Sequence, residues 1–485
     1  MKMKVTDLLI IILGIIFLNC NQTNSKIKKT ENAFSENSDT ASIIAATAMI
    51  ETHMKEYKIP GMQIAVSNKG KLIWSKSFGY SDLKNKIPVT TQTSFRIASV
   101  SKSLTGAALG LLLQENKINL DSTINFYVPT FPKKRWPLTV GQIARHISGI
   151  RHYNSSEEAN SSKHYNSVSE SLKQFANDSL LFKPGTQFEY SSFGYILLSA
   201  VIESVSKQDF PQFMVEKVFS SLDMRHTSLD FSDKNIPYRS KFYVIDENDN
   251  RVEAPYIDNS SKWAAGGMIS NAEDLVKFGS ALLSGSFLHP DIVNTLFTSA
   301  KTSDGKETGS GIGWDIKKDA NERNLVCMDG SLPSARSFIL IYPKEQLVIT
   351  ILANTGNSIF FNKEEAIMVA DLFLNPKGLD PTEDEQKNAI GQYSYSTYFD
   401  EDSINGKINI SKINGKLSGT MTIPNRFFKD RVIPVPVIRV NGDEINIVGV
   451  PGSWIFMSYQ KNKKAIHGKW RFGPLKGDLE GKQEQ

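Results

Sequence analysis

The sequence predicts an α+β protein in which an N-terminal helix and hairpin and a late pair of strands share one sheet around a helical middle. A separate antiparallel β barrel or sandwich follows. Three observations carry this: a helix and hairpin stand first, residues 99–226 are mostly helical in pattern, and after residue 388 short strands alternate with Asn-Gly pairs.

The first helix is marked by Ile43, Ala46, Ile50, Met54 and Tyr57, which recur at steps of three and four and make one apolar stripe. Met62, Ile64 and Val66 then alternate with polar or small residues, Asn68-Lys69-Gly70-Lys71 turns the chain, and Leu72-Ile73-Trp74 returns it. The helical middle is broken at Pro129-Thr130-Phe131-Pro132 and by Asn154 to Ser169, whose Ser, Asn and Glu content predicts a mobile excursion. Ser337 to Tyr342 and Leu347 to Leu352 are two apolar strands joined at Pro343-Lys344-Glu345-Gln346, and a last helix runs through Glu364 to Phe373. Residues 376–387, rich in Pro, Gly and acidic residues, predict a linker. Beyond it, Asn405-Gly406, Asn414-Gly415 and Asn441-Gly442 predict hairpin turns between short strands over 388–485.

The first 20 residues belong to no domain. Lys2 and Lys4 precede the apolar run Leu8 to Leu18, too short to span a bilayer comfortably, and this reads as an export signal. Phe17-Leu18-Asn19-Cys20 at its end, before the polar tether 21–40, resembles a lipoprotein signal in which the Cys20 thiol is lipidated. Asn19 departs from the small residue usual before that cysteine. An exported protein, periplasmic or at the cell surface and held at a membrane by a lipid anchor, is the expectation. The net charge of +5 over 485 residues is too small to suggest nucleic-acid binding.

Ser99-Val100-Ser101-Lys102 opens the helical run that continues through Leu113. A Ser and a Lys three apart lie one above the other on a helix face. The helix N-terminus favours negative charge on the serine oxygen, and a lysine neutralised by burial can take its proton. The spacing also occurs at Ser81/Lys84, Ser204/Lys207, Ser303/Lys306 and Ser458/Lys461, where an N-cap serine and a solvated lysine suffice. Context has to decide.

Phe95-Arg96-Ile97-Ala98-Ser99-Val100-Ser101-Lys102-Ser103-Leu104-Thr105 resembles the nucleophile segment of the β-lactamase-related serine hydrolases, which include class C β-lactamases, D,D-peptidases and certain esterases. His146-Ile147-Ser148-Gly149 is similar to the family's H-x-S-G turn, Tyr190-Ser191-Ser192 to its Y-x-N or Y-x-S motif, and Trp263-Ala264-Ala265-Gly266-Gly267 to its glycine-glycine segment. Ser148 to Tyr153 and Tyr190 to Tyr195 look closest to the serine β-lactamase-like branch. The resemblance implies a β-lactamase/transpeptidase-like domain, an antiparallel sheet flanked by helices plus a helical subdomain, over 41–375. It also implies that Ser99 is the nucleophile, that Lys102 and Tyr190 share the role of base, and that Ser192 lies near Lys102. Read without it, Tyr190 is a core aromatic and Ser192 a helix N-cap. His146 is assigned to structure, and His152 and Tyr153 either line the cleft mouth or belong to a loop.

The third motif departs from the family. Where relatives carry K-T-G or H-T-G, the equivalent is Met328-Asp329-Gly330-Ser331. Gly330 is expected to let substrate lie along the strand, and Ser331 to supply the second oxyanion-hole N–H beside that of Ser99. One such donor is worth about 3 kcal/mol in other hydrolases. Met328 can neither donate a hydrogen bond nor carry charge, and Asp329 brings a negative charge to the substrate side. A substrate carboxylate is therefore poorly served unless Arg336 takes it.

These readings converge on a serine acyl hydrolase forming an acyl-enzyme on Ser99, acting on a small ester or peptide in preference to a β-lactam. The competing reading is an inactive or weak penicillin-binding-like pseudoenzyme that binds wall peptides or a protein partner. No H-E-x-x-H or G-x-S-x-G occurs, the seven histidines are scattered, and no metal or cofactor is expected.

Overall fold

The computed structural model describes residues 39–483 apart from 249, 357–360, 400–401, 424–430, 443, 451–453, 461–464 and 473–474. Cys20 lies outside the described residues. The described residues open with helix α1 (Thr40–Glu56), followed by strands β1 (Gly61–Asn68), β2 (Lys71–Asp82) and β3 (Ile87–Pro88). Helices α2 (Ser101–Gln114), α3 (Ser192–Ser206) and α4 (Ala272–Ser284) dominate the middle. Strands β4 (Asp315–Lys318), β5 (Asn324–Leu332), β6 (Ala335–Tyr342) and β7 (Leu347–Ala353) and helix α5 (Lys363–Leu374) complete the unit.

The strands form one seven-stranded sheet in the order β3-β2-β1-β7-β6-β5-β4, with antiparallel pairing throughout. The first hairpin and the last strands thus meet at β1 and β7, where Ile64 faces Ile351 and Val66 faces Ile349. Helices α1 and α5 cover one face: Met49, Ile50, Ala366 and Val369 join Ile64, Val66, Ile349 and Ile351 in one core. The helical subdomain covers the other, where Ala65, Val348 and Leu352 join Leu275, Phe278 and the α2 residues Leu104, Ala107 and Ala108. A sheet covered on both faces loses strict polar alternation, as the fully buried β7 shows.

The segment read as a mobile excursion is tied down. Lys262 donates to the Ala159 carbonyl, Tyr165 N–H donates to Ser260 Oγ at 2.8 Å, and Arg151 pairs with Glu158 at 2.9 Å. Within the predicted linker, Thr382 and Glu385 form a capping box that starts the helix Glu383–Ala389.

The C-terminal strands are β8 (Gly391–Phe399), β9 (Asp402–Ile413), β10 (Lys416–Ile423), β11 (Arg431–Val435), β12 (Val437–Asn441), β13 (Glu444–Val448), β14 (Trp454–Gln460), β15 (Ala465–Phe472) and β16 (Leu475–Gln483). Seven of them form an open antiparallel sheet in the order β11-β10-β9-β8-β16-β15-β14, and β12–β13 form a separate ribbon. Among the described residues the end strands β11 and β14 do not pair, so the barrel alternative is not realised. Ile438, Val440, Ile445 and Ile447 of the ribbon instead pack on Tyr393, Ile408, Ile410 and Met421 of the sheet.

Asn414-Gly415 turns the chain with both φ positive, at 50° and 81°. Asn405-Gly406 does not; it lies inside β9, with Gly406 opposite Tyr395. A Cβ at Gly406 would fall 2.2 Å from Tyr395 Cζ, so this glycine is needed for a ring rather than for a turn.

The ribbon docks on the first unit. Val437 and Val448 join the core under α1, and His53 Nε2 donates to Gly449 O at 2.8 Å. Arg439 pairs with Asp371 of α5 at 3.0 Å.

Candidate active site

The nucleophile segment is a strained entry to a buried helix. Ala98 has φ +44°, a left-handed conformation costly for a residue with a Cβ, and residues 98–100 make a single 3-10 turn before α2 begins at Ser101. The turn is held from the sheet, where Ser337 Oγ of β6 donates to Ile97 O at 2.6 Å. It leaves Ser99 partly exposed above a helix that is buried over nearly its whole length.

Lys102 is fully buried, and its Nζ lies 3.2 Å from Ser99 Oγ, 3.1 Å from Ser192 Oγ and 2.5 Å from Ala265 O. Tyr190 donates its hydroxyl to Ser99 Oγ at 2.8 Å. Burial, and after it the charge of Lys262, holds the Lys102 amine well below the usual lysine range. Burial pushes the Tyr190 phenol up, against the pull of its bond to Ser99. As an ammonium, Lys102 Nζ donates to Ser99 Oγ, Ser192 Oγ and Ala265 O together; once deprotonated it keeps two N–H donors for two of them and turns a lone pair to the third.

Two histidines hold the Tyr190 segment. His146 Nδ1 accepts from Ser191 N–H at 3.1 Å, and His152 Nδ1 accepts from Ser192 N–H at 3.2 Å. Tyr190 lies between their rings, 4.5 Å from His146 and 5.4 Å from His152 by centroid. Both acceptors must be neutral, and burial brings their pKa values down to about 3 and about 4. The N-cap of α3 is Ser191, whose Oγ accepts from Gly194 N–H. Ser192, one residue on, is therefore available to Lys102.

The four residues of the third motif divide between two faces of the sheet. Met328 and Gly330 lie toward α2, and Met328 is only 4% exposed, within the main core. A Cβ at Gly330 would fall 2.3 Å from Ile97 O and 3.0 Å from Ala98 Cβ, so the close approach at this glycine is made by the nucleophile turn itself. Asp329 alternates to the other face, where it pairs with Lys363, which also binds Asp315 at 2.7 Å. Arg336, adjacent to the inward Ser337, lies on that same outer face, with Asp329 and Glu365 as the charges acting on it. Ser331 is exposed opposite Arg336 at the end of β5. Because β4 pairs only with residues 324–327, the edge of β5 from Met328 onward is not covered by it. No group of His, Cys, Asp and Glu suited to a metal ion occurs among the described residues.

Residues 46–372 match the family model described as Beta-lactamase. The chain belongs to the beta-lactamase family. The human mitochondrial serine beta-lactamase-like protein LACTB is 30% identical over 383 residues, covering 60% of this chain and 70% of that protein. Protein flp of Staphylococcus aureus strain MW2 is 29% identical over 322 residues, covering 64% of this chain and 62% of its own. Among solved structures, the octameric penicillin-binding protein homologue from Pyrococcus abyssi superposes with a TM-score of 0.60 at 22% identity, covering 89% of this chain and 99% of that one. EstCE1, described as a hydrolase with promiscuous acyltransferase activity, gives 0.58 at 20% identity over 66% of this chain and 95% of its own. The β-lactamase-like fold therefore carries Ser99, Lys102, Tyr190 and Ser192 in one cluster, as the family resemblance of their two segments implied.

Two contributors to this beta-lactamase-family site went unread in the sequence. The Ala265 carbonyl is a backbone group, which no side-chain pattern reveals. Lys262 carried a weak signal, a lysine immediately before the glycine-glycine segment.

Proposed function

We propose that the protein is a serine acyl hydrolase acting through an acyl-enzyme on Ser99, with a small ester or peptide as substrate. The observation that supports it is the convergence of a buried amine and a phenol on one partly exposed hydroxyl, Lys102 Nζ at 3.2 Å and Tyr190 OH at 2.8 Å from Ser99 Oγ. The Ser99 proton passes to Lys102 Nζ as Oγ bonds to the acyl carbonyl carbon. The N–H groups of Ser99 and Ser331 receive the negative oxygen that forms, a contribution of about 3 kcal/mol per donor in other hydrolases. The Lys102 ammonium and the Tyr190 phenol return a proton to the leaving group, and water then attacks the ester on Ser99 by the same route in reverse.

Esters and uncharged peptides are favoured over β-lactams because, among the described residues, the third motif and Arg336 offer no cation to a substrate carboxylate. Met328 is core, Asp329 is bound to Lys363, and Arg336 lies on the far face. The same observation supports the second reading, a binding protein with little turnover. The N-terminal segment ending at Cys20 supports export and lipid anchoring.

Mass spectrometry of the intact folded protein after a fluorophosphonate tests the proposal. One adduct mapping to Ser99 is expected. Absence of any adduct sinks the enzyme reading and leaves the binding one. Comparing p-nitrophenyl esters with a chromogenic cephalosporin tests the preference, and faster cephalosporin turnover overturns it.

A further inference from the structure

Lys262 is a second lysine buried in the same site, 4% exposed, with its Nζ donating to the carbonyl of Ala159. It ends the 3-10 turn Ser260–Lys262, and the helical turn Trp263–Gly266 that follows directly presents Ala265 O to Lys102. Thr105 Oγ1 donates to Ala264 O at 2.8 Å and Ser101 Oγ accepts from Met268 N–H at 3.2 Å, so this segment is fastened to α2 on both sides of Ala265. Among the described residues neither Lys262 nor Lys102 has a carboxylate partner in an ion pair.

We propose that Lys262 is a positioning residue whose buried positive charge keeps Lys102 in its proton-accepting form. The inference rests on the reading of Ser99 and Lys102 as nucleophile and base.

The charges around the pair leave this role to Lys262. Lys102 faces Tyr190 and Tyr195, with Nζ 4.9 Å and 5.7 Å from their ring centroids, and burial keeps both phenols protonated. His146 and His152 also act on it, and both are neutral above about pH 4. Around Lys262 stand Arg96, Asp230 and Asp258. Both carboxylates are already engaged. Asp230 binds Arg96 Nε at 2.7 Å, Arg239 Nη1 at 3.2 Å and Asn259 Nδ2 at 2.7 Å. Asp258 accepts from Ser260 N–H, Ser232 Oγ and Tyr256 OH, with His164 Nδ1 at 2.9 Å. Burial, with Arg96, lowers Lys262 to about 8, so it remains cationic at neutral pH, and burial together with the charge of Lys262 holds Lys102 well below the usual lysine range. A cation next to a buried amine is an established way to expose a lysine lone pair.

The test follows the rate of fluorophosphonate labelling of Ser99 from about pH 5 to about pH 9 in the wild type, Lys262→Met, Lys262→Gln and Lys262→Arg. Gln can still donate to Ala159 O without charge and serves if the Met variant fails to fold. Removing the cation raises the Lys102 pKa, so the acid limb of the profile moves to higher pH. A shift of one unit lowers labelling about tenfold at a pH below the limb and leaves the alkaline plateau unchanged. Lys262→Arg keeps the wild-type limb. Uncharged variants that lose rate equally at every pH, or an Arg variant that shifts as Met does, overturn the inference. A wild type that labels at no pH overturns the reading of Ser99 instead.

Discussion

Tyr190 and Ser99, 91 residues apart in sequence, are joined by a 2.8 Å hydrogen bond in which the phenol donates. Lys102 Nζ lies 3.2 Å from the same Oγ, so the serine hydroxyl is held between the phenol and the amine. Tyr190→Phe removes the donor but keeps the ring between His146 and His152. It is expected to lower ester kcat about 100-fold or more while leaving the thermal midpoint near the wild-type value. Equal loss of both would make Tyr190 a packing residue.

Gly330→Ala places a methyl against Ile97 O and Ala98 Cβ, the turn that carries the nucleophile. Overpacking of this kind costs about 1–3 kcal/mol. Urea unfolding should show that loss, and Ser99 labelling should fall with it in protein that is still folded. Unchanged labelling would show that the turn yields without moving Ser99.

Met328→Lys restores the cation that relatives carry, but at a position in the core. An unpaired ammonium there should lower stability by several kcal/mol and bring no gain in cephalosporin turnover. A stable variant with new cephalosporinase activity would show that the side chain reaches the cleft.

His53 sits between the first unit and the β12–β13 ribbon, bonded to Gly449 O, with burial holding its pKa at about 4. Glu365 Oε1 lies 3.8 Å from Nδ1 but is taken by the Tyr57 hydroxyl. The unfolded chain takes up a proton below about pH 6.5 and the folded one only near 4, so stability present at neutral pH is lost as pH falls through that window. The shift corresponds to on the order of 3 kcal/mol. His53→Gln keeps a donor for Gly449 and has nothing to titrate. Its urea midpoint should fall less than that of the wild type between about pH 7 and about pH 4; equal falls would place the acid sensitivity elsewhere.

Local pattern was enough for several elements. The stripe from Ile43 to Tyr57, the hairpin at Asn68–Lys71 and the strand pair around Pro343–Gln346 are set by periodicity and turn chemistry, which act between near neighbours. Asn405-Gly406 failed as a turn because the need for its glycine comes from Tyr395 on a neighbouring strand. The excursion over 154–169 looked mobile because its anchors, Ser260 and Lys262, lie about a hundred residues away in the chain.

The sequence by itself determined which residues can do chemistry: a Ser-x-x-Lys pair at the head of an apolar helix, a tyrosine motif, and a third motif lacking its cation. Residue type sets what each group can donate, accept or carry, and the resemblance of the surrounding segments to the β-lactamase-related hydrolases singled out this Ser-x-x-Lys among the others. Only the tertiary structure decided how those groups are placed and what surrounds them. Which of Lys102 and Tyr190 has a lone pair to offer depends on burial and on the Ala265 carbonyl, and which face of β5 carries Asp329 depends on strand register. Desolvation and distance are properties of the packed chain, because they arise between residues that only folding brings together.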